Sequence, residues 1–355
     1  MINNSACEWL AANADSPIRY RIYREIFKNE AAAKVMEAEL FDNTEVKRWL
    51  QNLSSAASPQ NRSLEHGSVD FCLENALLKI VQLGLHGGIP QVASAVRHFE
   101  FAFDDAFQNS GDFTSILTAN LLTLAGIPNK SARDYMDSRL DVLYNFVCKR
   151  DYNIYISDAE KSGLKAVPAI WKNKSFIKKS LIDDSGFCFP FVYDIAGMHK
   201  LYGSSAETDA KINAVIEYIS TDEFHRTVPD NYGILISGEK KYHTMGWDPK
   251  YPGWFDAASY MEGKNARKLL FFALFISRYP PARKTKWFGD LFCCLDKYKT
   301  GNGTYIFPAD WLTEQTGYAV LGHHMSFGEN RRKKNWREIE STFYIQLLNC
   351  DTNVV

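Results

Sequence analysis

The chain has 355 residues, more than the ~250–300 at which a single hydrophobic core usually stops growing. Apolar residues make up 46% and charged residues 23%, which excludes an intrinsically disordered chain. The 41 basic and 42 acidic residues leave a formal net charge of −1, which argues against a nucleic-acid partner. The basic run at residues 331–334 is expected to be a short solvated segment.

The sequence offers no targeting or membrane signal. The amino terminus lacks a basic region followed by an apolar stretch, so we expect no signal peptide. The longest apolar run, residues 269–276, is too short to span a membrane. The seven cysteines are odd in number and lack zinc-type spacing. We therefore expect reduced thiols in a cytoplasmic protein, with no bound metal and no cofactor.

Helix signals dominate the chain from its start, where Ser16 is expected to cap a helix that begins at Pro17. Later helices are indicated by apolar periodicity and by Gly or Pro at their ends. The predicted helices span residues 17–27, 69–85, 90–107, 113–125, 131–149, 191–202, 207–219, 257–278, 286–298 and 336–348.

Two kinds of helix alternate along the sequence. The helix at 207–219 has one apolar face, formed by Ile212, Val215, Ile216 and Ile219, whereas residues 269–276 are apolar all round. When helices that are exposed to solvent on one face alternate with fully buried helices, the pattern is typical of an outer ring of helices around an inner ring of helices. We therefore predict an all-α fold, an α/α toroid of about six inner and outer helix pairs.

Weak internal repetition favours the same architecture. Helix-ending phrases recur, among them residues 200–203 and 277–280, and a turn leading into Phe-Pro occurs at both 184–190 and 302–308. No linker separates two halves, so residues 1–355 are expected to form a single domain. Residues 229–254, rich in Gly and Pro, predict one long irregular loop or short hairpin, with a possible strand at 232–236.

These phrases, with residues 15–21, 67–78, 322–332 and 338–343, resemble the terpenoid cyclase and protein prenyltransferase toroid superfamily. The nearest likeness is to bacterial prenyltransferase or squalene-cyclase repeat proteins. The chain departs from them at three points. It lacks the Asp-x-Asp-Asp proton donor, the Gln-x-x-x-Gly-x-Trp repeats and the Asp, Cys and His zinc set.

The resemblance implies a terpenoid-cyclase-like enzyme, a cyclase, isomerase or lyase. It would act by acid and cation chemistry on an isoprenoid-like or other hydrophobic small molecule in the central cavity. Two alternatives stay open. One is a carbohydrate-active α/α-barrel hydrolase or lyase, and the other is a non-catalytic toroid that binds a small molecule.

Three groups of residues are candidates for chemistry. Asp70 and Glu74, spaced i and i+4, can share a helix face, where mutual repulsion and burial would favour one protonated carboxyl. The alternative is an ordinary polar face or a helix cap. The long loop supplies a second group that suits a pocket lid or a surface loop pinned by its Trp side chains: His243, Trp247, Asp248, Trp254 and Asp256.

The third group, near the end of the chain, contains His324, Glu329 and Arg331, where an arginine can bind a carboxylate or phosphate. Tyr193 and His199 complete the candidates for substrate binding. We predict one cavity at the amino-terminal ends of the inner helices, bordered by the six residues Asp70, Glu74, Asp256, His324, Glu329 and Arg331. The competing interpretation gives each of these groups a local cap or ion pair.

Overall fold

The computed structural model describes residues 4–56, 66–97, 112–183, 186–228, 232–238, 241–246, 249–262 and 265–350. These residues are predominantly helical, as the sequence predicts. Among the helices they form, none is long and apolar enough to cross a membrane.

The α-helices are, in chain order, α1 (Asn4–Asn13), α2 (Ser16–Arg21), α3 (Glu30–Leu40), α4 (Thr44–Ala56), α5 (Leu73–Gln82), α6 (Pro90–Val96), α7 (Asp112–Ala125), α8 (Lys130–Val147), α9 (Asp158–Ser162), α10 (Val192–Met198), α11 (Ala206–Ile219), α12 (Asp222–Thr227), α13 (Ala257–Tyr260), α14 (Asn265–Ile276), α15 (Pro280–Arg283), α16 (Lys286–Leu295) and α17 (Trp336–Asn349). Short 3₁₀ helices lie at Ala169–Trp171, Lys179–Leu181, Asp296–Tyr298, Ala309–Leu312 and Ala319–Leu321. The strands are β1 (Ile182–Asp183), β2 (Gly186–Phe187), β3 (Tyr232–Gly238) and β4 (Lys241–Gly246).

Short polar residues start several of these helices. Asn29, Asn129, Ser205 and Thr285 each accept a hydrogen bond from a backbone N–H in the first turn of α3, α8, α11 and α16, respectively. Such caps satisfy donors that a helix cannot pair internally. The predicted cap Ser16 is instead the first residue of α2.

Burial separates the helices into the two predicted kinds. Helix α10 is buried along its whole length, and α5 and the middle of α17 nearly so. Helices α8 and α11 bury one face only. The half-buried α4 packs on α5, and α8 packs on α7, so each covers one face of a buried helix.

The buried helices contact one another in sequence order. Helix α5 packs on α7, α7 on α10, α10 on α14 and α14 on α17. Helix α17 then packs on α1, and α1 on α2. Arg21 at the end of α2 donates to the carbonyl of Gln82 at the end of α5, 2.8 Å away, so the ends of α2 and α5 are adjacent.

A π turn, Ile22–Ile26, extends α2. The backbone N–H of Phe27 donates to the carbonyl of Ile22 at 2.9 Å, one residue beyond the usual α-helical spacing. Such turns are rare and hold one residue more than an α-helical turn. The turn supplies the side chains of Arg24 and Glu25 to a cavity that is described below. Lys28, just beyond the turn, borders the same cavity.

Two predicted helices differ from the structure. The stretch at 257–278 is divided into α13 and α14, and the stretch at 69–85 begins only at Leu73, because Cys72 has extended backbone. The prediction at 90–107 is borne out as far as Val96, and residues 98–107 lie outside the described residues. Helix α3 was not predicted because its apolar stripe is weak: only Ala33 and Leu40 are buried, with Met36 half-buried beside them.

The expected hairpin is present in the long loop. Strands β3 and β4 pair antiparallel, with Ile234 opposite Thr244. Ile234 also exchanges backbone hydrogen bonds with the segment at Ser175 and Ile177, both at 2.8 Å. Phe176, Ile234 and Tyr242 belong to a small hydrophobic cluster separate from the main core.

We expect Phe271→Ala to lower the free energy of unfolding by ~3–5 kcal/mol, because it removes a buried ring from the middle of α14. Urea denaturation measures the change. The control is Phe255→Ala, since that ring is 57% exposed and its loss should cost less than about 1 kcal/mol. Equal losses for the two variants would show that α14 is peripheral.

Candidate functional site

A cavity of about 1060 Å³ lies where five buried helices end. A residue within three positions of the end of each of α5, α7, α10, α14 and α17 borders it, respectively Leu85, Gly126, Lys200, Arg278 and Cys350. The π turn after α2 and the start of α3 complete the wall. The volume is that of a small-molecule site.

Positive charge prevails around this cavity. Three carboxylates border it, Glu25, Glu30 and Glu37, against twice as many basic side chains. The six basic side chains are Arg21, Arg24, Lys28, Lys34, Lys200 and Arg278. A cavity with this excess attracts anions, most strongly where protein atoms exclude water.

Arg21 and Glu25 neutralise each other within the wall. Arg21 Nε and Nη2 donate to the two oxygens of Glu25 at 2.7 and 2.8 Å. Burial acts to raise the pKa of Glu25, but Arg21 outweighs it and lowers that pKa to about 2. The excess charge therefore belongs to the other basic residues.

A glycine allows Arg21 to lie so close to the end of α5. Gly84 has φ +90°, a left-handed conformation that favours glycine, and a Cβ there would meet Arg21 Cγ at 2.5 Å. The next cation, Arg24, donates to the carbonyl of Gly84 at 3.3 Å and lies over the ring of Tyr20.

His199 and Arg278 hold each other in place. His199 Nδ1 lies 2.8 Å from the carbonyl oxygen of Ala196, and Nε2 lies 3.1 Å from Arg278 Nη1. Because arginine only donates, Nε2 accepts and Nδ1 carries the proton. Burial, reinforced by Arg278 and Lys200, lowers the pKa of His199 well below its usual value. His199 is thus a neutral support for the guanidinium of Arg278.

Part of the cavity wall is apolar. A smaller cavity of about 50 Å³ shares some of this wall, including Leu124, Leu274 and Leu347. Phe271, Phe275 and Phe327 line the smaller space, together with Arg21 and Arg278. The site therefore combines cationic and apolar side chains.

At the opposite ends of the buried helices the structure brings together two of the predicted residues. Glu74 is fully buried and accepts from Tyr193 Oη at 2.7 Å. Its other oxygen lies 2.6 Å from His66 Nδ1. Burial and Glu74 raise the pKa of Tyr193 well above its usual value. The rings of Phe113 and Tyr318 contact His66.

Asp70 and Glu74 do not share a helix face, since Asp70 precedes the start of α5. Asp70 instead accepts from Arg48 at 2.7 Å and lies 3.4 Å from His324 Nε2. The other nitrogen of His324 lies 3.5 Å from Glu314. Two predicted residues, Asp70 and His324, are therefore neighbours in a network of charged groups.

Lys79 joins this network from the middle of α5. Its amine, fully buried, lies 3.1 Å from Glu314 and also donates to the carbonyl of Ser326. Although burial acts to raise the pKa of Glu314, Lys79 and His324 lower it to about 2. The network fastens the segment before α17 to α5.

Arg331 and Glu329 have separate partners. Arg331 donates to Glu340 at 2.9 Å and lies over the ring of Trp336. Glu329 accepts from the backbone N–H of Asp15 and lies 2.7 Å from Lys333. Arg331 thus holds the segment between the last 3₁₀ helix and α17 to α17 itself, and Glu329 holds the same segment to Asp15, just before α2.

The candidates from the long loop lie apart from these groups. Asp256 caps α13 by accepting from Ser259. Trp254 stacks on His225 and donates to Asp222, and His243 is exposed on β4. Trp247 and Asp248 lie outside the described residues.

None of the six residues predicted to share a cavity borders the cationic one. Of the predicted site residues that the structure describes, His199 alone does. The residues that sequence reasoning missed are Arg24, Lys200 and Arg278. Two of them, Lys200 and Arg278, stand within the repeated helix-ending phrases, and this was the available signal.

Among the described residues, no group of three or more His, Cys, Asp or Glu side chains is arranged to hold a metal ion. No family model, no curated protein and no solved structure matches the chain. The cavity and its charges are therefore the features that indicate a function.

We expect Glu340 to make stability fall as pH rises from 4.5 to 7. Burial raises the pKa of this carboxyl to about 7, against the opposing effect of Arg331. A raised pKa stabilises the fold below pH 4.5, and that stabilisation is lost as the pH passes 7. Glu340→Gln removes this titration. The unfolding free energy of the variant minus that of the native chain should therefore rise by up to about 3 kcal/mol between pH 4.5 and 7.

Urea denaturation between pH 4 and 8 measures this difference, with Glu262→Gln as the control because Glu262 is exposed. A constant difference between Glu340→Gln and the native chain would contradict the expectation.

Proposed function

We propose that the chain is an α/α toroid. The support is the series of contacts from α5 through α7, α10, α14 and α17 to α1 and α2, with the half-buried helices outside it. The hydrogen bond from Arg21 to Gln82 joins the ends of this series. A crystal structure tests the closure, and another element inserted between α2 and α5 would contradict it.

We infer that the cavity of this toroid binds a hydrophobic small molecule that carries an anionic group. The observation that carries the inference is the excess of positive charge beside apolar wall residues. The arginines suit a phosphate, diphosphate or carboxylate, and the leucine and phenylalanine side chains suit an isoprenoid-like or similar apolar body. This molecule would lie with its charged end toward Arg24 and Arg278.

The charge of the cavity favours binding over the acid and cation chemistry of a terpenoid cyclase. A carbocation in this space would face Arg24, Lys200 and Arg278, which repel it. The acid chemistry that the resemblance implies would instead require Glu74, which lies at the opposite ends of the buried helices and is held by Tyr193 and His66. Ligand binding is accordingly the function that we put forward first.

These arginines also donate hydrogen bonds to carbonyls at helix ends, and this structural role is an alternative to anion binding. Arg21, Arg24 and Arg278 each donate to a carbonyl in the last turn of a helix or just beyond it. If that is their whole role, removal of one of them changes stability and no anion binds. Binding measurements separate the two accounts.

We expect the chain to bind octyl phosphate, and Arg24→Gln to weaken that binding about tenfold, since a charge-assisted hydrogen bond contributes about 1.5–3 kcal/mol. Isothermal titration calorimetry measures the dissociation constants. Affinity should fall as salt is added, because the attraction is electrostatic.

Octanol and octylammonium serve as ligands without the negative charge, and both should bind more weakly than octyl phosphate. Lys286→Ala is the matched variant, because it removes an exposed cation that pairs with Asp290 outside the cavity. Equal affinity of the native chain for the three ligands would contradict anion recognition, and so would equal weakening by the two variants.

A further inference from the structure

Lys200 stands out among the basic residues of the cavity. It lies two residues beyond the end of α10, and its side chain is exposed to the cavity. The other cations there have partners, such as Glu25 for Arg21 and Glu37 for Lys34. Within the residues that the structure describes, the amine of Lys200 makes no hydrogen bond and no ion pair.

The groups that act on this amine are mostly positive. Arg278 is the strongest of them, with Arg24 and Arg21 also contributing, and Glu25 is the opposing carboxylate. Both oxygens of Glu25 are already bound by Arg21. Partial loss of water around the amine within the cavity, followed by the charge of Arg278, lowers the pKa of Lys200 to about 8. A substantial fraction of the amine is therefore neutral at mildly alkaline pH.

A neutral lysine beside fixed cations is a nucleophile for carbonyl carbon, because its lone pair is free while its neighbours hold the anionic part of the molecule. The cavity wall supplies both the amine, from Lys200, and the cations that would hold the anionic part. His199 holds Arg278 by a hydrogen bond, and Arg24, on the π turn, borders the same cavity.

We propose that Lys200 forms a Schiff base with an aldehyde or ketone that carries an anionic group, held by Arg24 and Arg278. This inference rests on the proposed binding of anions in the cavity and adds a carbonyl group to the ligand class.

The step requires no co-reactant. The neutral Nζ of Lys200 forms a bond to the carbonyl carbon while the electron pair of the C=O π bond moves to oxygen, giving a carbinolamine after proton transfer. The C–O bond then breaks, and the lone pair of nitrogen forms the C=N bond. One water leaves, its two hydrogens coming from the amine and its oxygen from the carbonyl. Nothing is oxidised or reduced.

Pyridoxal 5′-phosphate, an aldehyde with an anionic group, is the probe. The full chain is incubated with it at pH 8, the imine is reduced with sodium borohydride, and peptides are mapped by mass spectrometry. The label is expected on Lys200 ahead of the exposed Lys130 and Lys286. Lys200→Arg keeps the positive charge and cannot form an imine, so the label at this position should be lost and the remaining pattern kept.

Two further arms show whether the cavity holds the phosphate. Pyridoxal, which lacks the phosphate, should label Lys200 less than the phosphorylated probe does, and octyl phosphate should compete with the latter. Arg24→Gln should reduce labelling by pyridoxal 5′-phosphate more than labelling by pyridoxal. Circular dichroism of both variants shows whether each is folded.

Labelling spread evenly over the lysines would overturn the proposal. If the native chain binds octyl phosphate and Lys200 stays unlabelled, the Schiff base alone is wrong. If octyl phosphate does not bind and Lys200 is unlabelled, the proposed anion binding fails with it.

Discussion

The last carbonyls of a buried helix have no partner within the helix, and they must find donors nearby. In this chain five such ends border one cavity. Backbone N–H groups just beyond the helices pair many of these carbonyls, for example those of Lys79 and Ile80. Arginines from the cavity wall pair others: Arg21 donates to Gln82 and Arg278 to Leu274, while Arg24 donates to Gly84 just beyond α5. Part of the positive charge of the cavity thus lies where two of the buried helices end.

The opposite ends of these helices have the opposite requirement, since free N–H groups and the positive end of each dipole favour carboxylates. Glu74 lies in the first turn of α5, and Asp194 in that of α10. Asp194 accepts from the backbone N–H of Phe191 and from Arg139, a buried pair that joins α10 to α8. In α5 and α10 the acidic residues near the start therefore match the direction of the helix dipole.

The sequence was sufficient for the helical class, because a stretch such as 269–276, apolar all round, differs visibly from the one-sided stripe of Ile212 and Val215. It was insufficient for the site. Lys200 and Arg278 look like ordinary cations at helix ends, and only the convergence of five ends makes them a group. The i, i+4 spacing of Asp70 and Glu74 misled for a local reason, since the extended backbone of Cys72 starts the helix after Asp70.

The π turn at Ile22–Ile26 determines how the helices before it are rotated relative to the residues after it. Before it, α1 contacts α17 and α2; within it lies Arg24 and just beyond it Lys28, which both border the cavity. Removal of the extra residue would turn one part against the other by about 100° and shift it by about 1.5 Å. In evolutionary terms, the cationic wall on this side can be lost or acquired through a single-residue deletion or insertion, with every side chain around it unchanged.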